Sequence, residues 1–165
     1  MLETVEALRA RGWEVPTRAV QEGLAGVRWP ARFEILRRAP LVIVDGGHNP
    51  QCAQALSESL RELLPGKRLV FLLGVLADKD YPRMLELLTP LAGEFVCLTP
   101  LSGRALAAEE LAAYLTARGA RASACADVAS GVRAALEAAG RRGVVVAFGS
   151  LYLVGAIRSE LQALP

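Results

Sequence analysis

The chain has a single histidine, three cysteines and few aromatic residues, and each scarcity removes a class of protein. One histidine leaves little room for a Ser-His-Asp arrangement, and none is visible. Cys52, Cys97 and Cys125 are odd in number and widely spaced. That argues against a disulfide framework and against a CxxC zinc site, and fits reduced thiols in a cytoplasm. Aromatics make up 5% of the residues, so any core must be mostly aliphatic. The net charge is only +2 and no Lys/Arg block exceeds a pair, so no nucleic-acid partner is expected. No apolar run reaches the length of a membrane span. Met1 leads straight into the charged, amphipathic "LETVEALRARG" rather than a signal peptide, so a cytoplasmic chain without membrane contact is expected. The phosphate-binding pattern GxxxxGK[ST] is absent as well.

What is present suffices for one ordinary domain: 165 residues, 53% of them hydrophobic and 22% charged. Apolar runs alternate with helical patterns. Strands are expected at Phe33–Leu36, Leu41–Val44, Leu69–Leu73, Phe95–Leu98, Ala120–Cys125 and Val144–Phe148. The runs beginning at 41, 69 and 144 are apolar at nearly every position, as in strands covered on both faces. Helices are expected at about 50–64, 81–91, 107–118, 127–140 and 150–162. Asn49 followed by Pro50 reads as a cap and a first-turn proline, Asp127 as a cap, and Gly119 and Gly140 as helix stops. Such alternation argues for an α/β fold: an open, mostly parallel sheet with right-handed crossovers and helices on both faces. Residues 1–31 do not alternate and read as a lead-in of one or two short helices, with the domain proper at 32–165.

In such a sheet ligands bind beyond the carboxyl ends of the strands, so the residues that follow each apolar run are the candidates for chemistry. Asp45 ends a buried strand, where a carboxylate needs a ligand or a donor. A ribose hydroxyl would serve, and so would backbone N–H groups of its own turn. Gly46 and Gly47 permit positive φ or close backbone approach. His48 stands at a helix entrance, either holding a phosphate or water, or exposed in a turn. Lys79 lies between Asp78 and Asp80, either in a solvated charge cluster or as an ammonium held between carboxylates and aimed at an anion. Arg32 suits bidentate phosphate or carboxylate binding. Ser150 opens the last helix and is expected to cap it. Together these residues describe an anion-friendly rim without a complete catalytic apparatus.

Four ordered blocks, "WPARFEIL", "VIVDGGHNP", "LLGVLADKDY" and "AFGSLYLVGAIR", resemble the C-terminal domain of the folylpolyglutamate synthase/dihydrofolate synthase family, which belongs to the Mur-type, ADP-forming amide ligases. The resemblance runs from about Leu24 onward. It implies a Rossmann-like C-terminal domain of an enzyme that uses ATP to phosphorylate a folate or dihydropteroate carboxylate and joins L-glutamate to it. It also implies that a central domain supplies the P-loop, the Mg2+ ligands and most of the pterin site. The opening helices would then be the connection from that domain, and the chain alone would be inactive. Carried over by motif, Arg32 would reach the ATP phosphates and Asp45 the ribose hydroxyls. His48 would lie beside the nucleotide and the reaction centre as the catalytic residue. Lys79 and Ser150 would bind glutamate. Gly47 replaces a usual alanine, and Gly103 a usual proline before Arg104, which leaves any contact by Arg104 open. Two other readings stand beside this one: a stand-alone nucleotide- or amino-acid-binding module, and a Mur-type ligase for another amino acid.

Overall fold

A computed structural model describes residues 2–164. The chain divides into two compact units, one ending at Pro30 and the other beginning at Ala31. The first holds α1 (Leu2–Ala10) and α2 (Thr17–Gly26), neither of which buries a residue. The second unit carries six strands: β1 (Glu34–Arg38), β2 (Leu41–Val44), β3 (Leu69–Leu73), β4 (Ala92–Cys97), β5 (Ala122–Ala124) and β6 (Val144–Phe148). Its helices are α3 (Pro50–Leu63), α4 (Tyr81–Leu88), α5 (Ala108–Thr116), α6 (Val128–Ala139) and α7 (Leu151–Ala163), with a short 3-10 turn at Thr89–Leu91. Ala31, given to the lead-in by the sequence reading, belongs to the second unit. It is only 4% exposed, and its carbonyl accepts the N–H of Gly46.

The strand order is β1-β2-β6-β3-β4-β5. Only β1 runs antiparallel, pairing with β2 as an edge hairpin, so the sheet is open and mostly parallel as expected. Side chains alternate across each strand, and the alternation divides the interior in two. Ile43, Phe71, Leu73, Phe95, Val146 and Phe148 pack with α3, α4 and α5 on one face. Val42, Val44, Leu72, Val96, Val145 and Ala147 pack with α6 and α7 on the other. This double covering is why β3 and β6 are buried at every position. Phe71 and Phe95 stack with centroids 5.5 Å apart and, with Phe148, are the buried aromatics of a mostly aliphatic core among the described residues.

The expected stops and caps form. Asn49 accepts the N–H of Cys52 at 2.8 Å, with Pro50 in the first turn of α3. Asp127 and Ser130 make a reciprocal capping box on α6, and Gly119 and Gly140 take positive φ. Strands β2, β3 and β6 span the expected residues, and other element ends differ by a residue or more. β1 starts at Glu34 and reaches Arg38, β4 starts at Ala92, and β5 is only three residues long. The helix expected over 81–91 loosens into a 3-10 turn at Thr89, whose hydroxyl donates back to Leu85 O at 2.7 Å. Among the described residues no helix is long and apolar enough to cross a membrane.

Candidate active site

Strand β6 lies between β2 and β3, yet the helix that follows it packs on the opposite face from those that follow its neighbours. Loops leaving adjacent strands toward opposite faces open a crevice at the carboxyl ends, the usual ligand position in doubly wound sheets. A cleft of about 320 Å³ lies there, lined by His48, Leu76, Lys79, Arg104, Gly149, Ser150, Leu151 and Tyr152. Loops after β2, β3, β4 and β6 thus meet, bringing His48, Lys79 and Ser150 together.

Each of these loops is tied down by its own backbone. In the β2–α3 loop, Asp45 N–H donates to Ala147 O at 2.9 Å and Gly149 N–H to Gly47 O at 3.1 Å, joining the loop to β6 and its exit. Gly46 and Gly47 both have negative or extended φ; their value here is close approach. A Cβ on Gly47 would lie 2.6 Å from both the Cys52 Cβ and the Phe148 ring, and one on Gly46 would overlap Leu151. The β3 and β4 loops are stitched by Ala77 N–H to Arg104 O at 2.8 Å and Leu106 N–H to Val75 O at 3.0 Å.

The single histidine is oriented rather than loose. Its Nδ1 lies 3.1 Å from Gly46 O, an acceptor, so Nδ1 carries a proton and Nε2 is the nitrogen left for a ligand. Ser150 is 4% exposed and caps α7, its hydroxyl accepting the N–H of Tyr152 at 3.2 Å. Leu153 N–H donates to Ser150 O at 3.2 Å, so the N-terminus of α7 borders the cleft with these two donors already paired.

Lys79 departs from one of its two sequence readings, the ammonium held between carboxylates. Its two flanking carboxylates do not hold it: Asp78 pairs with Arg104 at 2.8 Å, and Asp80 caps α4 by accepting the N–H of Arg83 at 3.2 Å. Lys79 is half-buried and makes no ion pair among the described residues, so its ammonium is free to take an anionic ligand. Arg104, left open by the sequence, stands at the cleft, as does Tyr152. Arg104 stands 25 positions beyond Lys79 and Tyr152 stands 73 beyond it, so only the fold shows that they share its cleft.

Arg32 and Asp45 do not line the cleft. They sit on the same rim, on the side where β1 enters beside the end of β2. Asp45 adopts the backbone-accepting role, with Oδ1 taking the N–H of Gly47 at 2.7 Å and Oδ2 that of Phe33 at 2.9 Å. A carboxylate offers about four acceptor positions, so room remains for a hydroxyl donor. The Arg32 side chain lies over Gly46, its Nη1 3.3 Å from where a Cβ would stand, and donates only to Ala31 O at 3.3 Å. It is exposed and has no carboxylate partner among the described residues.

A doubly wound sheet with cationic side chains around a cleft at its switch point defines the class: an α/β domain of the kind that binds ligands beyond the carboxyl ends of its strands. Residues 31–151 match the family described as "Mur ligase, glutamate ligase domain", and the chain belongs to that family. It is 34% identical over 149 residues to a folylpolyglutamate synthase of Lacticaseibacillus casei, across 90% of this chain and 33% of that protein. Among solved structures it superposes on Escherichia coli FolC in complex with DHPP and ADP, with a TM-score of 0.86 and 30% identity over 96% of this chain and 37% of that one. A bifunctional folylpolyglutamate synthase/dihydrofolate synthase with Mn, AMPPNP and L-glutamate bound gives a TM-score of 0.82 and 29% identity, covering 96% of this chain and 38% of that one. The chain thus spans about a third of the length of the relatives it matches.

Proposed function

We propose that this chain is the C-terminal domain of an ATP-dependent, ADP-forming folylpolyglutamate/dihydrofolate synthase acting in the cytoplasm. The observation that carries the reading is the cleft at the β2–β6–β3 switch point, where His48, Lys79 and the capped N-terminus of α7 converge beside Arg32. The names of its relatives and the nucleotide, glutamate and DHPP bound to its structural neighbours favour the folate branch over other amino-acid ligases.

In the reaction, a substrate carboxylate oxygen bonds to the γ-phosphorus as ADP departs, giving an acyl phosphate. The glutamate amine then bonds to the acyl carbon, the C–O bond to phosphate breaks, and the amine loses a proton. This chain contributes electrostatics and placement. The unpaired Arg32 guanidinium suits phosphate oxygens bidentately. Asp45 has spare acceptor capacity for ribose hydroxyls, and because its bonds to Phe33 and Gly47 hold it rigid, it pays little entropy on binding. His48, fixed through Nδ1 by Gly46 O, leaves Nε2 for the reacting groups. Lys79 pairs with a glutamate carboxylate, and Ser150 with the α7 N–H groups borders the same pocket. The Mg2+ ligands are assigned, with the P-loop, to the central domain, and no step of this chain runs through the metal. Residues before Ala31 are assigned as the lead-in from that domain. Their exposed Trp13, Val27 and Trp29 give apolar surface for it to cover.

The test is glutamate-dependent ADP release by the full-length enzyme with dihydropteroate and with tetrahydrofolate. Lys79→Ala should raise KM for glutamate about tenfold or more, the scale of a lost charge-assisted bond, while KM for ATP changes little. His48→Ala should lower kcat. A Lys79→Ala enzyme with unchanged glutamate KM would remove the assignment.

A further inference from the structure

Arg32 sits between two residues with left-handed backbone: Ala31 has φ 58° and Phe33 φ 45°. Neither is glycine, and for a bulky residue such as Phe33 this region is unfavourable. An edge strand needs no such kink in order to begin. A conformation of this kind persists only where its surroundings impose it, and it collects at functional positions.

Both N–H groups that flank Arg32 donate to carboxylates. Ala31 N–H reaches Glu34 Oε2 at 2.9 Å, and Phe33 N–H reaches Asp45 Oδ2 at 2.9 Å. The Ala31 carbonyl in turn accepts Gly46 N–H at 2.8 Å. Each carboxylate is itself anchored. Asp45 takes the N–H of Gly47, and Glu34 Oε2 also accepts Arg158 Nη2 of α7 at 2.6 Å. The Glu34–Arg158 pair is about two-thirds buried, so solvent screens it less than the other ion pairs on this surface. The guanidinium of Arg158 also keeps the Glu34 carboxyl below the usual glutamate range, in the ionised form that accepts best. The outcome of the kink is an exposed arginine lying over Gly46 at the rim, without an ion pair of its own.

We propose that Glu34, backed by Arg158, is a positioning residue: acting through the Ala31 backbone, it holds the left-handed kink that presents Arg32 to a polyphosphate at the rim. The proposal rests on the reading of Arg32 as a phosphate contact. The same helix α7 that opens the amino-acid pocket at Ser150 thereby braces the phosphate contact through Arg158, two turns further on.

The experiment is a double-mutant cycle in the full-length enzyme, following KM for ATP, KM for glutamate and kcat. Glu34→Gln should raise KM for ATP about tenfold, the scale of one charge-assisted hydrogen bond, with kcat recovered at saturating ATP and KM for glutamate unmoved. In an Arg32→Ala background the same change should have no further effect. Arg158→Gln should behave as Glu34→Gln does, and Arg158→Lys should retain most of the affinity; this pair serves if Glu34→Gln does not fold. Equal effects of Glu34→Gln with and without Arg32 would mean a staple for fold stability and would overturn positioning. So would a large effect of Arg32→Ala with none from Glu34→Gln or Arg158→Gln, and that result would leave the phosphate contact standing. An Arg32→Ala enzyme with unaltered KM for ATP would remove the phosphate contact and the positioning together.

Discussion

At Gly149 the backbone takes φ +105°, and a Cβ there would lie 2.6 Å from the carbonyl oxygen of Gly74. Strain and collision act together at the floor of the cleft. Gly149→Ala is therefore expected to cost about 1–3 kcal/mol, seen as a melting temperature lower by roughly 2–4 °C per kcal/mol. A variant that melts with the parent would contradict this close approach. Cys97 offers a second check. Burial, with a smaller part from Cys125, pushes its thiol up to about 12, so at pH 8 it stays protonated and unreactive. Iodoacetamide should leave Cys97 unlabelled in the folded chain and label it on unfolding. Asp45 marks how far single residues could be read. A carboxylate after a buried strand has to find donors, which the sequence made plain. Which donors depends on Phe33, twelve positions earlier, and only the β1–β2 hairpin brings that N–H within 2.9 Å.

Helix starts were legible because caps are local chemistry, satisfied within three or four residues. Asn49, Asp127 and Ser150 each accept an N–H two or three positions on. Asn49→Ala should cost about 1 kcal/mol, read as a lower thermal midpoint, and should loosen the His48 loop that precedes α3. The strands β2, β3 and β6 keep their expected bounds, while β1, β4 and β5 do not, since pairing partners far along the chain set their ends; β5 has three ladder residues, although Cys125 N–H still reaches Cys97 O at 2.9 Å. Between elements, the Glu34–Arg158 bond joins β1 to α7 across 124 positions, and no pattern in the sequence announced it. Its carboxyl is depressed first by Arg158, then by the Ala31 N–H. A value depressed on folding stabilises the folded state fully above the unfolded group's range, and that contribution is lost as pH falls through the folded value. Acidification below about pH 5 should thus lower the melting temperature, and Glu34→Gln should flatten that slope. An unchanged slope would mean that the pair contributes nothing to folding.

At the scale of the whole molecule, every buried residue among those described lies at Ala31 or beyond, and most belong to two cores on either side of one sheet. Residues 31–165 alone should therefore unfold cooperatively, with a midpoint within a few degrees of the longer chain; loss of cooperativity on removing residues 1–30 would contradict that. The sequence by itself determined the fold class. Apolar runs, helical spacing and caps are local signals, and alternating strands and helices leave few topologies that bury both faces of a sheet. It also supplied the blocks that carry Arg32, Asp45, His48, Lys79 and Ser150. Only the tertiary structure decided how they divide: His48, Lys79 and Ser150 in one cleft with Arg104 and Tyr152, Arg32 and Asp45 beside it, and Lys79 released from its neighbouring carboxylates. The physical reason is that a side chain's role follows from what the fold brings within about 3 Å of it, and those partners come from strands distant in sequence and adjacent only in the sheet.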